Sequence, residues 1–272
     1  MEYTIEPKSK FSLGIDELIQ YRELFYFFTW RDIKVKYKQA ALGILWAILQ
    51  PLAMVIIFTL IFSKALKVET GEVPYPIYAL SGLIIWNIFS AGLTSSANSM
   101  VNNANIIKKI YFPRLVIPIS SILSVMIDFS ITLVFYIGML IYYQDVVIFS
   151  NLIWCLPLSI LLMLITTFGL GTFVASLNVK YRDFQYLLPF FIQFMMFLNP
   201  ILYNSNAIEN PLIRTIMKYN PIANAINLNR AVFIHSPVDF QGLIVSFFIG
   251  IGILMLGIYT FRKTEDYFAD IA

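Results

Sequence analysis

The chain has 272 residues, 59% of them hydrophobic and only 13% charged, with a net charge of +3 at neutral pH. A soluble domain carries about 25% charged residues, so this balance excludes an ordinary water-soluble globule and points to an integral membrane protein. A single cysteine, Cys155, and a single histidine, His235, exclude an internal disulfide, a His-rich metal site and most triad chemistry; no catalytic or metal-ligating residue is expected.

The N-terminal MEYTIEPKSK has no apolar core, so no cleavable signal peptide is expected, and residues 1–13 read as a polar leader. From Gly14 to about Lys38 charges mix with apolar side chains, and the spacing Leu18, Tyr21, Phe25, Phe28 suits one helical face. The segment 31–38 alternates with a period of two, but next to a membrane it is read as the end of an amphipathic interface helix. After Lys38 no charge appears until Lys64, leaving 25 uncharged residues. About 20 apolar residues in a helix cross a hydrocarbon core about 30 Å thick, so a basic surface segment leads straight into a span.

The apolar runs are long and lack barrel-like alternation, so the spans are read as helices, which satisfy their backbone polar groups internally. The first span is placed at 42–63 with Pro51 near its middle, the second within 75–99, and a polar, Asn-rich stretch follows at 95–105. The third covers 116–143 and contains Asp128. The fourth lies within 152–177, where Gly169 and Gly171 suit close helix packing. The fifth runs over 184–203 with Pro189 and Pro200. A mixed, Pro-punctuated stretch, 204–239, precedes the sixth span at 240–261. Six crossings put both ends on one side. The Lys and Arg distribution agrees: fourteen of 19 fall on that side and five on the other, none within a span, so both termini are expected in the cytoplasm.

No G-x-x-x-x-G-K-[ST] is present, so no phosphate-cradling nucleotide loop is expected. Asp128 is the one acid within a span, and two readings stay open for it: a functional intramembrane acid, or an acid protonated or paired across helices. The loop IIKKIYFPRLVIP (106–118) reads as a short surface helix with an aromatic knob that suits a partner's groove, or as an ordinary positive-inside loop.

Four segments occur in order: WRDIKVKYKQAALGILWAILQPL, KKIYFPRLVIP, NVKYRDFQYLLPFFIQFMMFLNPILY and KYNPIANAI. Together, from about Tyr26 to Arg262, they resemble the membrane subunit of ABC transporters that export cell-surface polysaccharides, the Wzm-like O-antigen, capsule and teichoic-acid permease family. The resemblance implies an all-α, type-2 ABC exporter transmembrane domain over 39–272, with six transmembrane helices, an interface (gate) helix at 14–38, a cytoplasmic coupling helix at 103–114, and re-entrant helices at 204–236. It implies a homodimer in the bacterial inner membrane that binds two separate ABC ATPase subunits. The chain itself would then hold no cofactor, Mg-ATP sitting on the partner, and would contact membrane lipid and lipid-linked polysaccharide but no nucleic acid.

Residue roles follow on the same basis. Lys108, Lys109, Tyr111, Phe112, Pro113 and Arg114 are expected to dock on the ATPase. Sugars stack on aromatic faces and a sliding chain needs many weak contacts, so Trp46, Tyr186, Phe190, Phe194 and Phe197 are expected to line the channel. Arg31, Lys34, Lys36 and Lys38 lie where a lipid diphosphate would sit. Other cargos, such as teichoic acid, capsule, or a small drug or lipid, stay open. A membrane glycosyl or phosphoglycosyl transferase would need clustered acids, and these are absent.

Overall fold

The computed structural model describes residues 15–38, 43–67, 70–181, 183–204, 210–234 and 238–265. The expected polar leader, Arg182 and His235 lie outside them. Among the described residues every regular element is a helix, apart from one isolated bridge between Val147 and Phe233.

The interface segment forms two helices: α1 (Ile15–Gln20) and α2 (Arg22–Lys38), broken at Tyr21. Leu18, Tyr21, Leu24, Phe25 and Phe28 turn to the same side and pack in one apolar cluster with Ile107, Phe112, Val116 and Phe261. The period-two alternation of 31–38 is therefore overridden by helix, as lipid-facing chemistry anticipates.

Helix α3 (Trp46–Phe58) contains Pro51 and continues as a π-helical stretch, Thr59–Ala65. Helix α4 (Tyr75–Asn102) is the axis of the molecule: most of its side chains are buried, and α3 leans on it. The Asn-rich stretch placed after this span forms its last turns, where Ser96 and Ser99 are buried. A single turn, α5 (Ala104–Ile107), leads to α6 (Val116–Tyr142). Next come α7 (Phe149–Lys180) and α8 (Phe184–Leu198). Two short helices, α9 (Pro211–Tyr219) and α10 (Pro221–Arg230), precede α11 (Phe240–Thr264).

Five of these helices are long and apolar enough to cross a membrane: α3 with its extension, α4, α6, α7 and α11. The sixth, α8, has 15 residues, about 22 Å at 1.5 Å per residue. Alone it falls short of a hydrocarbon core about 30 Å thick.

Without a hydrophobic force between helices in lipid, close packing and interhelical hydrogen bonds hold the bundle. Gly169 and Gly257 let α7 and α11 touch backbone to backbone: a Cβ at Gly169 would fall 2.6 Å from the Leu254 nitrogen, and one at Gly257 only 2.1 Å from the Gly169 carbonyl oxygen. Gly171 makes the same allowance for Ser96 on α4. Asn178 on α7 donates to the Ala97 carbonyl at 2.9 Å, binding α7 to α4.

Pro211 and Pro221, between α8 and α11, start helices rather than break them. Asn210 and Asn220 are N-caps whose side chains accept from Leu212 and Ile222 N–H groups, and each is followed by proline at the first helical position. The bundle thus has two distinct ends. The basic end gathers α2, the 108–115 loop and the last turns of α7 and α11. The far end gathers the turn after α8 with α9, α10 and the start of α4.

Candidate functional site

At the basic end, helix α2 divides its cations between two faces. Phe27, Trp30, Arg31, Lys34, Val35 and Lys38 line an open cavity of about 400 Å³. Spacings of three, four and seven residues bring them onto one side of the helix. Arg31 lies over the Phe28 ring at 4.9 Å and pairs with Asp32, and Lys34 lies over Trp30 at 5.3 Å. Aromatic faces thus fix cations whose charged tips still line the opening.

Lys36 points the other way. It is ion-paired with Asp128 on α6, and the Tyr37 hydroxyl donates to the same carboxylate. Burial, then the hydrogen bond to Asp128 and its negative charge, push the Tyr37 phenol above its ordinary value, so it stays a donor. One turn along α6, Thr132 donates to the Ala47 carbonyl at 3.2 Å, tying in the start of α3. Asp128 is therefore an acid paired across helices. Of the four cations expected to face one anionic ligand, the structure brings three to the cavity and commits the fourth to an intramolecular pair.

The 103–114 segment departs from the expected coupling helix. Only Ala104–Ile107 is helical there, and the chain then runs irregularly to Arg114. Lys108, Lys109, Ile110 and Tyr111 are exposed, Tyr111 at 81%. Phe112 and Pro113 are buried. The Phe112 ring packs on Phe28 of α2 with centroids 5.5 Å apart, so it is not the projecting knob. Residue type alone could not separate Tyr111 from Phe112; the partner that buries one of them comes from another helix. Arg114 is half-buried and donates to the Glu265 carbonyl. Around the exposed residues lies a shallow cavity of about 190 Å³, lined by Ile107, Lys108, Lys109, Ile110, Tyr111, Phe112 and Arg114.

Helix α8 shows a stripe of rings. Tyr186, Phe190, Phe194 and Phe197 recur at spacings of four, four and three, and are between 52% and 83% exposed. Leu188 is the one buried residue of this helix. Trp46 is also exposed, but on α3, and both helices rest on α4.

Reasoning from sequence passed over Arg230, which counted as a loop cation. It is buried, at 4% exposure, with its guanidinium 3.7 Å from the Tyr78 ring centroid. Gly82 makes room for it: a Cβ there would stand 2.9 Å from an Arg230 nitrogen. The signal was faint, namely a lone cation ending a helix of otherwise uncharged residues (PIANAINLNR). Among the described residues no group of His, Cys, Asp and Glu could hold a metal ion.

Residues 23–234 match the ABC-2 type transporter family. The chain is 31% identical to an O-antigen export system permease protein, RfbA, of Klebsiella pneumoniae, the match covering 97% of this chain and 98% of that one. RfbA of Myxococcus xanthus is 26% identical over 94% of this chain and 98% of its own length. The polysialic acid transport protein KpsM of Escherichia coli is 24% identical over 87% and 91%. With a family match over most of its length and a full-length relative above 30% identity, this helical membrane chain belongs to the ABC-2 type transporter family as a transmembrane permease subunit.

Proposed function

We propose that this chain is the membrane subunit of an exporter that moves lipid-diphosphate-linked polysaccharide, O-antigen above all, from the cytoplasmic to the outer face of a bacterial inner membrane. The observation that carries the cargo class is the α8 stripe of Tyr186, Phe190, Phe194 and Phe197. Rings repeated along one helix offer many weak stacking contacts, which is what a sliding sugar chain needs. The names of the relatives support a glycan of this kind.

The basic end lies in the cytoplasm in this reading, with both termini, as the excess of Lys and Arg there supports. Two copies of the chain bring the exposed flanks of α3 and α8, including Trp46, around a common path. Two ABC ATPase subunits carry Mg-ATP and dock on the exposed part of the coupling loop: Lys108, Lys109, Ile110 and Tyr111. Phe112 and Pro113 transmit rather than dock. A push on the loop passes through the Phe112–Phe28 contact to α2, and so to the cavity lined by Arg31, Lys34 and Lys38. Those cations take the lipid diphosphate, each worth about 1 kcal/mol toward an anionic headgroup. Lys36 holds the helix in place through Asp128.

Deletion of the gene, complemented by a tagged copy co-expressed with the neighbouring ATPase gene, tests this. The proposal expects loss of surface polysaccharide on deletion, its return on complementation, and an ATPase subunit recovered with the tag. Unchanged surface glycan, or a tagged chain that never recovers an ATPase, overturns it.

A further inference from the structure

The turn after α8 presents consecutive backbone carbonyls that no helix ladder uses. Each accepts a hydrogen bond from a side chain of another helix. Arg230, at the end of α10, donates one guanidinium nitrogen to the Pro200 carbonyl and another to that of Ile201. The Tyr75 hydroxyl on α4 donates to the Leu202 carbonyl at 3.1 Å, and the Tyr78 hydroxyl to that of Tyr203 at 3.0 Å. Asn220 at the head of α10 donates to the Asn199 side chain at 2.9 Å. Irregular backbone deep in a membrane protein is tolerated only where such donors meet it.

Arg230 has no carboxylate partner among the described residues. A buried cation without a counter-ion carries a desolvation cost that an apolar side chain of similar size would avoid. What the guanidinium adds is a fork of fixed donors that spans two carbonyls while its face lies on Tyr78. It therefore joins α10, α4 and the end of α8. The first turns of α8 are lightly held: they bury Leu188 alone, and Pro189 interrupts the hydrogen-bond ladder one residue further on. Nearer the turn, Ile192, Met195 and Met196 pack against the core.

We propose that Arg230 is a positioning residue for transport: it locks the turn after α8 to α4 and α10, so that the aromatic stripe moves by swinging its Tyr186 end about that locked point. The inference rests on the transporter reading above, and the wild-type arm of its test keeps the two apart. The chain is purified with its ATPase in proteoliposomes holding lipid-linked glycan, and three quantities are read: complex recovered, ATP turnover and glycan moved. Wild type that neither turns over ATP nor moves glycan overturns the transporter reading itself, and this inference with it.

With wild type active, Arg230→Gln should yield normal complex and ATP turnover within about twofold, while glycan movement falls about tenfold or more. Arg230→Lys, which keeps a donor, should recover part of the movement. Loss of complex, turnover and movement in equal proportion in Arg230→Gln and in Tyr78→Phe, which removes one donor without touching the charge, would reduce the cluster to a packing role and overturn the proposal. So would glycan movement in Arg230→Gln within about twofold of wild type. In a Cys155→Ala background, Leu187→Cys should change its maleimide labelling rate on ATP binding, and Leu198→Cys should not. Equal changes at both ends contradict the swing.

Discussion

Asp128 sets the register between the interface helix and the bundle, and its pairing yields a residue-scale prediction. Lys36 is 57% exposed and Asp128 20%, so the pair is worth on the order of 1 kcal/mol rather than several. Asp128→Asn should lower the thermal midpoint of the purified protein modestly, and Lys36→Met should add little to it. A double-mutant cycle on unfolding free energy that shows no coupling between the two sites would contradict the pairing. Phe112 and Tyr111 stand side by side yet should fail differently. Phe112→Ala opens a hole against Phe28 and should cost about 3 kcal/mol, read as lost thermal stability before any partner is added. Tyr111→Ala should leave the melting profile intact and reduce recovery of the ATPase. The opposite pattern would return Phe112 to the docking surface.

At the scale of the helix, the α7–α11 crossing is the least forgiving contact in the bundle. Gly169→Leu must push α11 backbone away, and overpacking of this kind typically costs about 1–3 kcal/mol or more; the expected result is loss of monodisperse protein in size-exclusion chromatography. A well-behaved variant would mean the two helices are not in backbone contact. That crossing was readable from Gly169, and the α7–α4 approach from Gly171, because small residues in an apolar run signal close approach. The five long spans were readable too, from uninterrupted apolar stretches. Most of what could not be read depends on partners distant along the chain, and the rest on local capping. Arg230 looks like a loop cation until the carbonyls of Pro200 and Ile201 are placed beside it. Lys36 looks like Lys34 until Asp128 is brought across from α6. Pro211 and Pro221 look like breaks until the preceding asparagines are seen to cap helices.

Considered as a whole, the molecule is a bundle to which the proposed function gives a mechanical input at one end and a fixed anchor at the other. In the proposed mechanism, force enters at the exposed 108–111 loop, crosses the Phe112–Phe28 contact and reaches the cationic cavity of α2. At the far end the turn after α8 is held to α4 and α10, and in the proposed swing the aromatic stripe is the part that moves. Replacing Lys34 and Lys38 together by glutamine should weaken transport of a diphosphate-linked glycan, and the loss should shrink as salt rises, since exposed cations are screened over about 10 Å at 0.1 M. A salt-independent defect would deny them an electrostatic role. The most direct test of the central claim is ATP-dependent movement of lipid-linked polysaccharide across proteoliposomes containing this chain and its ATPase, read as glycan that becomes accessible on the opposite face. The account predicts movement that requires ATP, this chain and the ATPase together. Movement without the ATPase, or none when the assembled complex is hydrolysing ATP, would contradict it.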